Sequence, residues 1–348
     1  MKTTIVTTTI NVPYFLRGYE KNAKLFNQDV DFIVAGDLKT PLEAKYFCRT
    51  VSNCVYLSPK DQDTYLLRFP ELANHLPYNS AERRNVAMLM AYENGADTVI
   101  TLDDDNYATS HDVIGYHAPS KYRQKVKAYG SSSGWFNICS VLQEKNNVEF
   151  YHRGYPLAQR WNDGLVTVQH AESRIAVNAG LWLDNPDVDA ITRLERELFV
   201  TGYKNEGSET FALVPGTWTP FNCQNTSLRR DVVPAYFLSP KFGRHSDILA
   251  SFIVNRLTEH FGDVIAFGDP LARHQRSTHN LWKDFDAERQ GILMADKFCE
   301  ALRSIRITAK SYHEGFKQIA DKIRLYGEEY DIEGMLLWHE AFKSLGAE

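Results

Sequence analysis

The stretch Thr98-Val99-Ile100-Thr101-Leu102-Asp103-Asp104-Asp105 decides how this sequence is read. Five β-branched and apolar residues have the density of a short buried strand, and the chain then runs straight into three carboxylates. In a parallel α/β sheet ligands bind outside the carboxyl ends of the strands, so acids at that place stand where chemistry is usually done. The preceding residues predict such a sheet. Thr3 to Thr9 is a β-branched run, Tyr14 to Asn27 reads as a helix, and Asp31 to Ala35 is a second strand ending at Gly36 and Asp37. Strand, helix, strand is the βαβ unit. A further helix leads into the acidic strand: Asn79 is placed to cap it, Glu82 is its capping-box partner, Val86, Leu89 and Met90 share one face, and Gly95 stops it.

Farther out, the sequence changes character. From about 110 to 235 it is rich in Gly, Trp, Tyr, Pro and Asn with few periodic stretches, the texture of a site-building region. Beyond about 245 it turns helical, over Ile248 to Phe261 and then Asp284 to Tyr326. The expectation is an α/β, Rossmann-like domain over 1–280 with a helical C-terminal extension over 281–348. Apolar residues of that extension, among them Leu302, Ile305 and Ile319, either pack on the domain or join copies into a homo-oligomer. With 39 Lys and Arg against 44 Asp and Glu, the net charge is -5, which argues against a partner bound by neutralising nucleic-acid phosphates. No run of 18 apolar residues predicts a membrane span, and the N-terminus lacks a secretory apolar core. Five cysteines, an odd number without zinc spacing, read as mostly buried thiols of a cytoplasmic protein.

Along an extended segment side chains alternate, which puts Asp103 and Asp105 on one side and Asp104 on the other. Two carboxylates facing one way can hold Mg2+ or Mn2+, with phosphate oxygens filling the remaining positions. Solvated loop acids are the plainer reading of such a triplet. In its βαβ setting, however, the D-x-D layout resembles that of GT-A-type glycosyltransferases that use nucleotide sugars. That resemblance implies that Asp103 and Asp105 bind a divalent metal. It also places Thr8, Gly36, Asp37 and Asp104 on the nucleotide side, where ordinary turn chemistry is the alternative for Thr8, Gly36 and Asp37.

Longer motifs sharpen the comparison. Arg153-Gly154-Tyr155-Pro156-Leu157-Ala158-Gln159-Arg160 resembles the R-G-Y-P-x-x-x-R motif of the plant reversibly glycosylated polypeptides, the UDP-arabinopyranose mutases. Gly180 to Ala190, GLWLDNPDVDA, is similar to their G-L-W-L-x-x-P-D-x-D-A, and Gly243-Arg244-His245-Ser246-Asp247 to their G-R-Y-D-D. Pro220 to Asp231 looks like a third family segment, in which Pro220, Asn225 and Arg230 match. Earlier residues, including Lys39-Thr40-Pro41 and His75 to Ser80, resemble the STELLO glycosyltransferases of plant Golgi membranes.

The resemblance implies a UDP-sugar substrate, a reactive arginine at Arg153, a second required arginine at Arg160, and His274 completing the metal shell, with His279 close by. Chemistry leaves alternatives open. A guanidinium stays protonated and is a poor nucleophile, so Arg153 either accepts a sugar with Asp247, Asp187 or Asp189 beside it, or clamps the diphosphate. Arg160 clamps or forms a structural ion pair. Asp247 either caps a helix or acts as base. Asn225 lines the sugar pocket or shapes a turn, and Trp182 and Trp218 stack on sugar or fill the core. Of Arg83 and Arg84, one is expected to reach the nucleotide and the other to stay in solvent. The leading reading is a metal-dependent UDP-sugar glycosyltransferase that glycosylates a carbohydrate or its own arginine. A UDP-sugar mutase and a non-catalytic nucleotide-sugar-binding protein are the alternatives.

Overall fold

The β-branched opening run is strand β1 (Thr3–Thr9), followed by helix α1 (Leu16–Leu25), β2 (Val30–Gly36), α2 (Leu42–Cys48) and β3 (Cys54–Leu57). These coordinates are a computed structural model that describes residues 1–119, 122–162, 164–204, 210–277, 279–327 and 329–348. Strands β1 and β2 pair in parallel, as do β2 and β3. Helices α3 (Pro59–Leu66), α4 (Pro70–His75) and α5 (Arg84–Glu93) then lead to β4 (Thr98–Leu102), which pairs in parallel with the other side of β1. All five residues of β4 are buried, as a strand covered on both faces requires.

The middle of the chain adds β5 (Asn106–Ala108), α6 (Val113–Tyr116), β6 (Gln124–Ser131), β7 (Leu142–Glu144), β8 (Val166–Ser173) and β9 (Ile175–Asp184). After these come α7 (Ala190–Glu195), β10 (Val200–Tyr203), β11 (Phe211–Leu213), β12 (Asn225–Arg229), α8 (Ser246–Phe261) and β13 (Val264–His274). The main sheet order is β3-β2-β1-β4-β12-β9-β13-β11-β6-β8. Strand β12 runs antiparallel to both β4 and β9, and β13 runs parallel to β9. The carboxyl ends of β1, β2, β4, β9 and β13 therefore emerge along one edge.

This is the expected α/β architecture, Rossmann-like in its first half, with a helical C-terminal region: α9 (Leu281–Ser304), α10 (Tyr312–Ile323) and α11 (Ile332–Ser344). The helical pattern read over Asp284 to Tyr326 is built as two helices, α9 and α10. A single apolar cluster runs from Val6 and Val99 through Phe237 and Ile248 to Phe316 and Trp338, so the extension shares the core of the sheet domain. Trp182 and Trp218 are 1% exposed and belong to that core. Four of the five free cysteines are buried, and Cys54 is half-buried. Among the described residues no helix is long and apolar enough to cross a membrane.

Two local expectations change. Strand β4 ends at Leu102 and the acidic triplet enters a turn, with the Asn106 N–H donating to the Asp103 carbonyl at 3.2 Å, so strand alternation does not govern the three carboxylates. Asn79 is not the cap either. Its backbone is left-handed (φ 56°), and the Ser80 side chain accepts from the Glu82 N–H.

Candidate functional site

A cleft of about 320 Å³ lies at the carboxyl ends of β1, β2 and β4, lined among others by Thr8, Asp37, Arg84, Asp103, Asp104 and Asp105. Its floor is built by short polar contacts. Asp37 accepts the backbone N–H groups of Asn79 (2.7 Å) and Ser80 (3.1 Å), which fixes the turn before α5 against the end of β2. Asp104 accepts from the Thr9 hydroxyl at 2.5 Å and from Asn11 at 3.2 Å. Thr8 gives its hydroxyl to the Ala35 carbonyl. Gly36 stands behind this wall. A Cβ on it would lie 2.1 Å from the Tyr56 hydroxyl oxygen, so a side chain there requires the Tyr56 ring to shift.

Arg84 is 2% exposed and lines the cleft, whereas Arg83, at 1%, departs from the expectation that the other arginine stays in solvent. Arg84 pairs with Asp103, and it also bonds the Leu102 carbonyl (3.1 Å) and both the carbonyl and the sulfur of Cys223. Arg83 turns the other way, to Gln62 (2.8 Å) and over the Tyr78 ring. Burial raises the Asp103 pKa; Arg84 opposes that effect and the neighbouring Asp105 adds to it. Asp103 is thus engaged by a cation of the protein, and the two carboxylates do not form the free matched pair expected from the spacing.

Asp105 meets His274 instead, Oδ2 to Nε2 at 3.2 Å, because the end of β13 pairs with β5 just past the triplet. The other imidazole nitrogen, Nδ1, lies 2.6 Å from the Asn185 carbonyl, which fixes the ring orientation. Burial works against charge on both groups, but their mutual bond outweighs it, holding Asp105 below and His274 above its ordinary pKa. Among the described residues, no cluster of three or more His, Cys, Asp or Glu side chains is arranged to hold a metal ion. One carboxylate and one oriented imidazole fit a cation that takes its remaining ligands from diphosphate. His279 is turned to Asp284.

The two arginines of the octapeptide lie deeper. Gly154, at φ 78°, presses against Ile248, whose Cγ2 is 2.2 Å from where a Cβ would stand. This close approach carries Arg153 beside the start of α8. Arg153 Nε bonds Asp187 at 3.0 Å, Nη1 and Nη2 bond the two oxygens of Asp247 at 3.1 and 2.9 Å, and Nη1 also bonds the Arg244 carbonyl. Arg160 pairs with Asp189, which also caps α7 by accepting from the Thr192 N–H at 2.8 Å. The two arginines of one motif thus meet the two aspartates of the other. Burial alone would lower the Arg153 pKa, but Asp187 and Asp247 raise it well above the ordinary value. Burial would in turn raise both carboxylates, yet Arg153 holds each below its usual range. Asp247 does not cap α8. It sits in the first turn and accepts from the Cys223 N–H at 3.3 Å, which links the pair to Arg84 and Asp103.

Asn225 is 0% exposed, with Oδ1 2.8 Å from His117 Nε2 and Nδ2 donating to the Leu181 carbonyl, so it braces β12 within the sheet and does not line the cleft. Sequence reasoning missed Cys223 and Asn222, which join the arginine networks through backbone and side-chain contacts. Their only signal was position, just before a strand opposite β4.

No protein-family model matches the chain. It is 25% identical over 265 residues to UDP-arabinopyranose mutase 1 of Arabidopsis thaliana, covering 71% of this chain and 69% of that protein. It is 24% identical over 267 residues to probable UDP-arabinopyranose mutase 1 of Pisum sativum, covering 71% and 68%. Among solved structures, glucosyl-3-phosphoglycerate synthase from Mycobacterium tuberculosis, in complex with Mn2+ and UDP-glucose, aligns with a TM-score of 0.43 at 11% identity, covering 86% of this chain and 79% of that one. S. aureus TarS 1-349 in complex with UDP-GlcNAc aligns with a TM-score of 0.39 at 11% identity, covering 99% and 90%.

Proposed function

We propose that this chain is a UDP-sugar mutase, which breaks the bond between an anomeric carbon and a diphosphate oxygen and re-forms it with a changed sugar ring. The observation that carries the reading is the cleft walled by Asp37, Arg84 and the acidic triplet, in a chain whose sequence relatives are UDP-arabinopyranose mutases. Asp37 organises the turn against which the nucleoside lies. Arg84, buried and aimed along the end of β4, supplies fixed positive charge where the diphosphate gains negative charge on bond breaking. Asp105 and His274 would hold a divalent cation, whose chemistry is to neutralise the diphosphate. Arg153 is read as a permanent cation that fixes Asp187 and Asp247, because its N–H groups are committed to them and its pKa is raised. That arrangement supports a positioning role over acceptance of a sugar.

The test is incubation with UDP-arabinopyranose and Mn2+, followed by chromatography of the nucleotide sugars. The expected product is an isomeric UDP-sugar without net UDP release. Net UDP release would assign glycosyl transfer or hydrolysis instead, and sugar-linked mass gain lost in Arg153→Lys would restore the acceptor reading. Arg84→Ala is expected to lower kcat by about 10²-fold or more, the usual loss for a charge-stabilising donor. Full activity in that variant would refute its role.

A further inference from the structure

Past the carboxyl end of β9, a second cavity of about 420 Å³ opens, and its wall includes Lys145, Arg193, Arg196 and Arg276 together with Glu144 and Glu197. Glu144 turns its Oε2 to the backbone N–H groups of Asn146 (2.6 Å) and Val148 (3.1 Å). Arg196 pairs with Glu195, and Arg276 pairs with Asp284 at 2.5 Å. Arg193 is different: among the described residues it has no carboxylate partner, and its Nη2 donates to the Pro186 carbonyl at 2.5 Å. Burial, and after it the charge of Arg276, pull the Arg193 pKa down to about 10; the charges of Asp187 and Glu288 push the other way without restoring it. A half-buried guanidinium fork beside a second guanidinium, in a concave wall, matches the geometry of an oxyanion.

The cavity also touches the catalytic edge. Asn185 lines it, and the same residue's carbonyl orients His274, whose other nitrogen faces Asp105 in the cleft. We propose that this cavity binds a phosphate monoester of a small molecule, with phosphate oxygens on Arg193 and Arg276. A phosphate monoester carries roughly -1.5 to -2 charge at neutral pH, and the wall that would receive it carries four cations against two carboxylates, with Arg276 keeping further N–H groups beyond the one it gives Asp284. Its placement beside the sugar-bearing end of a nucleotide rests on the function proposed above; the anion site itself does not.

The experiment titrates inorganic phosphate by calorimetry into the full chain with the cleft saturated by UDP. Saturable binding is expected, weakened at least about tenfold in Arg193→Gln and less in Arg193→Lys, which keeps the charge and loses the fork. The UDP affinity of both variants should match that of the unaltered chain, which also reports that they are folded. Equal phosphate affinity in all three proteins would overturn the site. Malonate binding more tightly than phosphate would overturn the phosphate assignment. Phosphate binding that depends on Arg193 in a chain that binds no UDP would support the anion site and sink the nucleotide-sugar reading alone.

Discussion

Arg153 shows what a single side chain can decide. Its guanidinium spans two buried carboxylates, and removing one of them leaves charge without full compensation. Asp247→Asn is therefore expected to cost about 3 kcal/mol in denaturant unfolding. The pH dependence follows from the sign of the shifts. Asp187 and Asp247 are held below their unfolded values, so their stabilisation is complete above about pH 4 and fades as pH falls through the lowered folded-state values. The gap in unfolding free energy between the unaltered chain and Asp187→Asn should be constant from neutral pH to about pH 4 and narrow below it. A gap that widens on acidification would contradict the assignment. At this scale the sequence was partly legible. Carboxylates at a strand end are a local signal, so Asp37 and the triplet could be placed in the cleft. The partners of Arg153 lie 34 and 94 positions away; the motif comparison offered Asp247, Asp187 and Asp189 as candidates, and only the fold selects the first two and gives Asp189 to Arg160.

Elements were more legible where burial is two-sided and continuous, as in β1, β2 and β4, than where strands reverse direction. The antiparallel insertion of β12 between β4 and β9 depends on long-range pairing that no short window carries. Helix packing is similarly hidden. Gly291 lies within α9, where a glycine weakens the helix, and its reason is spatial: a Cβ there would stand 2.1 Å from His245 Cγ. His245 immediately precedes α8 and is 0% exposed, so α9 braces the segment that presents Asp247. Gly291→Ala gains up to about 1 kcal/mol of helix propensity but incurs about 1–3 kcal/mol of overpacking. The clash is with a ring and not with a flexible chain end, so the net effect should be destabilising. Calorimetry should show a lowered Tm together with reduced activity; a raised Tm would show that the His245 segment can yield.

For the whole molecule, the question is whether residues 281–348 form an appendage or complete the fold. The apolar cluster answers through particular contacts. Trp338 is 0% exposed, packs against Phe237 and donates its indole N–H to the Pro234 carbonyl at 3.1 Å. Asp331 accepts from Ser239 and lies 3.0 Å from His75 Nε2, tying the start of α11 to both the central segment and α4. Phe316, Ile319, Trp338 and Phe342 are each fully buried in the shared core. At about 1.5–3 kcal/mol for each such side chain, losing these four alone removes about 6–12 kcal/mol. That rivals the entire stability of an ordinary domain, about 5–15 kcal/mol, before the newly exposed faces of Phe237 and Pro234 are counted. We therefore expect the full chain to unfold in one transition, with tryptophan fluorescence and far-ultraviolet dichroism coincident, and a chain ending at residue 280 to aggregate or bind a hydrophobic dye. Two separated transitions, or a shortened chain that stays monomeric and folded, would instead make the C-terminal helices an independent unit.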